Sequence, residues 1–323
     1  MLASMIFIAA LNLGIAASSG PHFINEYTLP LGAYPQYIVS GPDGALWFST
    51  YPRVADHQPI DLGIGRITTS GSYSFFLFEL GTYDLATGAD GNIWFTNAYQ
   101  NPYSVGRLTP QGVFTQFDVP SDGTPENITT GRGGFLWYTA FGAYRDVIKM
   151  NTSGNAVAAY HTPHRYAVAL GAGPFGDMWF NVLGNPSFVG HIDGHGGIVE
   201  HRMPPPPYIP GHMVHGPDGR LWMCDGGYIA AITSDFRVTL YKMPGSNGGS
   251  ADITVGPDGN LWVTDFVNSA IVRVTTGGKM TSFQTPTPNM FPAGITTGPD
   301  GNIWFTEIQN QTDVSKIGVL APK

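Results

Sequence analysis

Every tryptophan of the chain stands in the same local context. The seven are Trp47, Trp94, Trp137, Trp179, Trp222, Trp262 and Trp304, separated by intervals of 40 to 47 residues. A period in that range is the mark of a propeller blade, a unit that cannot bury both of its faces alone and must stack on copies of itself. Ahead of each Trp lies a turn: GPDG from Gly41, Gly216, Gly256 and Gly298, GADG from Gly88, GRGG from Gly131 and GPFG from Gly173. Pro presets φ at the first central position, Asp tolerates the second, and the closing Gly accepts the left-handed region. Each copy therefore reads as strand, tight turn, strand.

An apolar residue nine places before each Trp (Ile38, Leu85, Ile128, Leu170, Met213, Ile253, Ile295) marks a first strand, and LWFS, IWFT or LWVT forms the second. A third follows as IGRIT from Ile64, VGRLT from Val105 or IVRVT from Ile271, and a fourth ends at proline, as in FTQFDVP from Phe114. The expected fold is all-β, a seven-bladed β-propeller over residues 20–323 with four antiparallel strands per blade. The last repeat stops after its third strand, whereas INEYTLP from Ile24 is a fourth strand without a repeat of its own. That N-terminal strand is expected to close the last blade beside residues 316–320, leaving no open edge in the ring.

Strand direction sorts the connections. The GPDG turns and the turns between third and fourth strands share one short, uniform face. The links between blades and the loops between second and third strands share the other, where residues 51–63, 97–104 and 204–210 are longest. Binding residues are expected on this variable-loop face, because function concentrates in variable loops held by a rigid scaffold.

Composition removes several partners. Lys and Arg number 15 against 23 Asp and Glu, a net charge of -8, so there is no basic stripe for nucleic acid or an anionic membrane surface. Cys224 is the sole cysteine, which excludes an intrachain disulfide. Residues 1–19 form an apolar run ending in Ala16-Ala17-Ser18-Ser19 and read as a signal peptide, although no Lys or Arg precedes Arg53. The run is shorter than the roughly 20 residues a stable membrane span requires. A secreted or extracytoplasmic monomer is expected.

Ten positions ahead of each Trp, where innermost strands converge on the channel mouth, stand Tyr37, Asp84, Asn127, Ala169, His212, Asp252 and Gly294. Asp84, Asn127, His212 and Asp252 are the expected metal set, since carboxylate and amide oxygens suit Mg²⁺ or Ca²⁺ and imidazole a transition metal. The competing reading is that polar residues at strand starts satisfy backbone groups. Glu126, one residue earlier in its blade, is the nearest candidate base. Three places after Trp, Asp225, Asp265 and Glu307 supply either a second acidic shell or partners for third-strand residues such as Arg273. The candidate catalytic residues are Glu126, His212 and Glu307. His161, His164, His191, His195 and His201 show no metal-site spacing and read as structural or solvated. Tyr83, Tyr99, Phe141, Tyr166, Phe266 and Phe291 are placed to stack on a ligand or to fill gaps between blades.

The stretches PAGITTGPDGNIWFTE from Pro292 and ADITVGPDGNLWVTD from Ala251 closely resemble the virginiamycin B lyase family, and the resemblance extends over residues 23–320. It implies an elimination that opens a depsipeptide ring at its ester, using a magnesium ion, histidines and glutamates on the variable-loop face. Residue by residue, the family's sixth-blade His falls on Ala251, behind Ser250 in place of Pro. Its seventh-blade Glu-Pro-His falls on Phe291, Pro292 and Ala293. Its remaining Glu falls on Ile308, with Glu307 one place away. Two functions stand open: a propeller binding a small-molecule or glycan-like ligand on the variable-loop face, and a metal-assisted lyase of the streptogramin B type or lactone hydrolase with its site at the channel mouth.

Overall fold

Seven four-stranded antiparallel sheets form the ring, one per Trp repeat. The structure, a computed structural model, describes residues 20–323 except 52–53, 56–57, 60–62, 79, 100, 120–122, 143–145, 165, 174–177, 206–209, 246–247 and 310–313. The expected signal peptide and most of the 204–210 link lie outside the described residues. The second blade shows the pattern, with strands Thr82–Thr87, Ile93–Asn97, Ser104–Leu108 and Phe114–Asp118 in order from the channel outward. The seventh takes Phe291–Thr297, Ile303–Gln309 and Val314–Ala321 from the C-terminal end and His22–Thr28 from the N-terminal end. Phe23 faces Leu320 and Thr28 faces Lys316, so the ring closes as the orphan strand predicts.

The core is not central but distributed between blades. Each Trp inserts into a cluster built by the next blade: Trp94 packs with Ile128, Leu136 and Tyr138, Trp222 with Ile253, Leu261 and Val263, and Trp304 with Leu46, Phe48 and Ile67 across the closure. Seven such clusters run round the ring. A buried indole must also place its N–H, and the turn Asp accepts it, at 2.9 Å from Asp43 to Trp47 and 3.0 Å from Asp258 to Trp262. The GPFG turn has no Asp, and Trp179 Nε1 is buried without a partner among the described residues.

The third-strand Arg joins the same unit. Arg66 Nε lies 2.6 Å from Asp43 and Arg273 Nε 2.9 Å from Asp258. This corrects the expected pairing of Arg273 with Asp265: Arg273 stands opposite Trp262, at the turn end of the blade, whereas Asp265 stands opposite Ala270 at the far end. Glycine in the same strand answers to the second-strand Phe. Phe48, Phe95, Phe180 and Phe305 lie over Gly65, Gly106, Gly190 and Gly318, where a Cβ would fall 2.0 to 2.5 Å from the ring. Where the second strand carries Val263, its partner is Val272.

Candidate functional site

The channel mouth is built by a bulge repeated in every blade. Each first strand slips its register, as between Thr82 and Leu85 or Ser250 and Ile253, so that two residues oppose one on the second strand. The freed N–H needs an acceptor, and the residue two places after Trp provides it. Asp84 N donates to Thr96 Oγ1 at 3.2 Å, Asn127 N to Thr139 Oγ1 at 3.1 Å, Ala169 N to Asn181 Oδ1 at 3.0 Å and Asp252 N to Thr264 Oγ1 at 3.0 Å. The hydroxyl proton then goes to the neighbouring blade, from Thr96 to the Glu126 carbonyl and from Thr264 to that of Ala293. In the sequence this polar position is marked by its recurrence at a fixed offset from Trp, as in Thr96, Thr139, Asn181 and Thr264.

The bulged residues meet across the channel. Asp84, Asn127, His212 and Asp252 line one cavity of about 200 Å³ together with Tyr37, so the four expected ligands do converge. They converge as a belt. Asp84 Oδ2 accepts from Ile128 N at 3.0 Å and from the Asn127 amide at 2.5 Å, while its Oδ1 accepts from Leu85 N. Asn127 Oδ1 accepts from Leu170 N at 2.7 Å. Asp252 Oδ1 and Oδ2 accept from Ile253 N and Ile295 N. Each side chain thus ties its own strand to the next blade.

His212 reaches over the axis and joins the belt's two halves. Its Nδ1 lies 3.1 Å from Asp252 Oδ1, its Nε2 lies 3.2 Å from the Asn127 amide nitrogen, and its ring stacks on Tyr37 at 4.8 Å. Burial works against its charge, but Asp252 and Asp84 outweigh burial and lift its pKa to about 9. Burial raises Asp84 to about 6, with His212 holding it lower than burial alone would. Through the Asn127 contact Nε2 serves as an acceptor in the neutral ring. When the ring takes a second proton, Nε2–H faces an NH₂ group and must seek another acceptor.

A hard divalent cation needs six or more oxygen ligands. Here the carboxylate and amide oxygens already receive N–H groups, and both His212 nitrogens are engaged. Among the described residues, no three His, Cys, Asp or Glu are arranged to hold a metal ion. The set as it stands fits a polar belt and not a magnesium cage.

The other candidates lie apart from this belt. Glu126 is half-buried near Tyr83, and burial raises its pKa. Glu307 is fully buried within the seventh blade, beside Glu26 and Lys316. Asp265 organises its own loop, accepting from Gly249 N at 3.1 Å and from the Asn268 side chain at 2.8 Å. The rim of the variable-loop face is apolar and exposed at Phe141, Leu183, Phe266 and Phe291. Tyr166 stacks on Phe141 at 4.4 Å.

Comparison with known proteins agrees with this architecture. The model of the virginiamycin B lyase family matches residues 12–222 and 149–321. A virginiamycin B lyase of Nocardia farcinica is 30% identical over 203 residues, which cover 59% of this chain and 63% of that relative. A catalytically inactive virginiamycin B lyase of Staphylococcus aureus, solved with quinupristin, superposes with a TM-score of 0.79 at 25% identity, over 93% of this chain and 99% of that one. A streptogramin B lyase structure gives 0.79 at 26% identity over 94% and 98%. With its repeats matched by the family model over nearly their whole length, the chain belongs to the virginiamycin B lyase family.

Proposed function

We propose that this family member is a ligand-binding propeller acting outside the cytoplasm, which holds a small-molecule or glycan-like ligand against its variable-loop face and does not open streptogramin B. One observation carries the reading. The positions that match the family's proton-transferring histidines hold Ala251 and Ala293, and an alanine neither takes nor gives a proton. Exposed apolar side chains on this face, at Phe141, Leu183, Phe266 and Phe291, support retained binding. The direct test incubates purified protein with quinupristin and Mg²⁺. Mass spectrometry is expected to return intact drug, and linear product formed at enzymatic rates overturns the proposal.

The second reading, a metal-assisted lyase or lactone hydrolase, draws on the His212–Asp252 pair, whose Nδ1 and Oδ1 lie 3.1 Å apart at the channel mouth. Turnover of a lactone panel, lost on His212→Asn, would favour it.

A further inference from the structure

Away from the channel, a cleft of about 520 Å³ opens on the variable-loop face between the third and fourth blades. Its floor and walls come from two connections, the link after Ala156–His161 and the loop between Met178–Val182 and Phe188–Ile192. Pro163, Val182, Leu183, Pro186 and Phe188 supply its apolar walls, and the polar side chains that line it are those of His164 and Asn185. The sequence reads His164 as structural or solvated; the structure gives it a fixed pose.

Two contacts fix that pose. The ring stacks on Phe188 with centroids 4.2 Å apart and planes 12° apart. Its Nδ1 lies 2.5 Å from Glu200 Oε2. The Glu200 side chain is only 4% exposed, and its other oxygen, Oε1, has no partner among the described residues. Burying a carboxylate is costly unless it is engaged, so this one is held to serve the imidazole. A carboxylate accepting from Nδ1–H selects the tautomer with a lone pair on Nε2. His164 itself is 55% exposed and lines the cleft.

We propose that this cleft is a second binding site, for a small hydroxylated aromatic ligand whose ring lies between the proline and aliphatic walls and whose hydroxyl donates to His164 Nε2. The volume falls within the range of about 300–1,000 Å³ typical of small-molecule sites. Proline faces and aliphatic walls suit a flat ring. An oriented acceptor beside apolar walls rewards one donor on the ligand, and a ligand without that donor covers the acceptor and leaves it unpaired. The site is independent of the channel mouth, since none of its lining residues belongs to the belt.

The test titrates the full chain, labelled with ¹⁵N-histidine, with p-cresol and separately with toluene and cyclohexylmethanol. p-Cresol is expected to shift His164 Nε2, to leave the Nδ1–H signal in place, and to bind about five- to tenfold more tightly than toluene, the worth of one hydrogen bond. Cyclohexylmethanol, with a hydroxyl but no flat ring, is expected to bind more weakly than p-cresol; equal binding would reassign the site to alcohols in general and overturn the aromatic class. Glu200→Gln is expected to keep toluene affinity and narrow the p-cresol advantage, while His164→Ala removes the advantage altogether. Equal affinity for p-cresol and toluene, an unshifted His164, or p-cresol binding untouched in both variants refutes the proposal.

Discussion

Glu307 offers a sharp test of how this ring is held shut. Its side chain is 0% exposed, on the middle of the blade that joins the two chain ends, beside Glu26 and Thr285. The nearby ammonium of Lys316 is taken by Glu26 at 2.8 Å. Burial first, and the Glu26 charge second, push the Glu307 pKa from 4.5 up to about 8. A folded-state pKa above the unfolded one means that the native protein holds this proton more tightly. The associated stability is complete below pH 4.5, declines as pH rises, and is gone above about pH 8. At about 1.36 kcal/mol per pKa unit the ceiling is about 5 kcal/mol, and relaxation of the site on ionisation lowers it to about 2–3 kcal/mol. Glu307→Gln removes the titration while preserving shape. The variant should match the parent at pH 4 and exceed it at pH 9 by about 5 °C in Tm, at about 2 °C per kcal/mol for a chain of this size. Glu26, whose pKa is lowered, loses its own contribution as pH falls, but parent and variant share that loss. Thermal melts of both proteins from pH 4 to pH 9 decide the matter. Parallel curves, with a constant offset at every pH, would refute the reasoning.

Three further outcomes follow from the blade architecture. Gly106→Val, whose Cβ would meet the Phe95 ring at 2.2 Å, should cost about 1–3 kcal/mol by urea denaturation, and adding Phe95→Val should recover much of it by recreating the Val263–Val272 arrangement of the sixth blade. Phe175→Asp restores the GPDG pattern before Trp179 and should stabilise by about 1 kcal/mol in calorimetry, by giving a buried indole N–H its acceptor. Deleting residues 20–30 removes the strand that covers Val314–Ala321 and the Tyr27 ring stacked 6.0 Å from Trp304, and should lower Tm by about 10 °C or more in a circular dichroism melt.

Much of the fold was legible because its determinants repeat. A Trp at a fixed interval, a Gly closing a turn and an alternating strand pattern are local signals, and seven copies make them unambiguous. The closure was legible by subtraction, since the strand beginning near Ile24 had no other home. The site was read only halfway. Position in the repeat placed Asp84, Asn127, His212 and Asp252 at one mouth, but which atoms they satisfy depends on the bulge that frees backbone N–H groups, and the bulge marks the sequence indirectly, through the polar residue two places after Trp. Arg273 was paired with the acid three places after Trp for a related reason: only cross-strand register shows that Arg273 stands opposite Trp262, at the turn end beside Asp258. The His164–Glu200 pair joins different blades 36 residues apart, so no spacing rule announces it.

Closing the seventh blade with both ends of the chain has a consequence for the order of folding. Phe23 finds Leu320 only after about 300 residues of intervening chain have been made, and closing a loop of that length costs about 5 kcal/mol of entropy in a flexible polymer. Six blades can form hairpin by hairpin as they emerge, each from neighbouring segments. The seventh cannot. Until Val314–Ala321 is free to pair, the nascent arc carries an unclaimed strand at one end and a bare blade face at the other, both with unsatisfied pairing capacity. Synthesis of the last segment therefore acts as the commitment step, converting an open, adhesive arc into a ring with no end to unravel from.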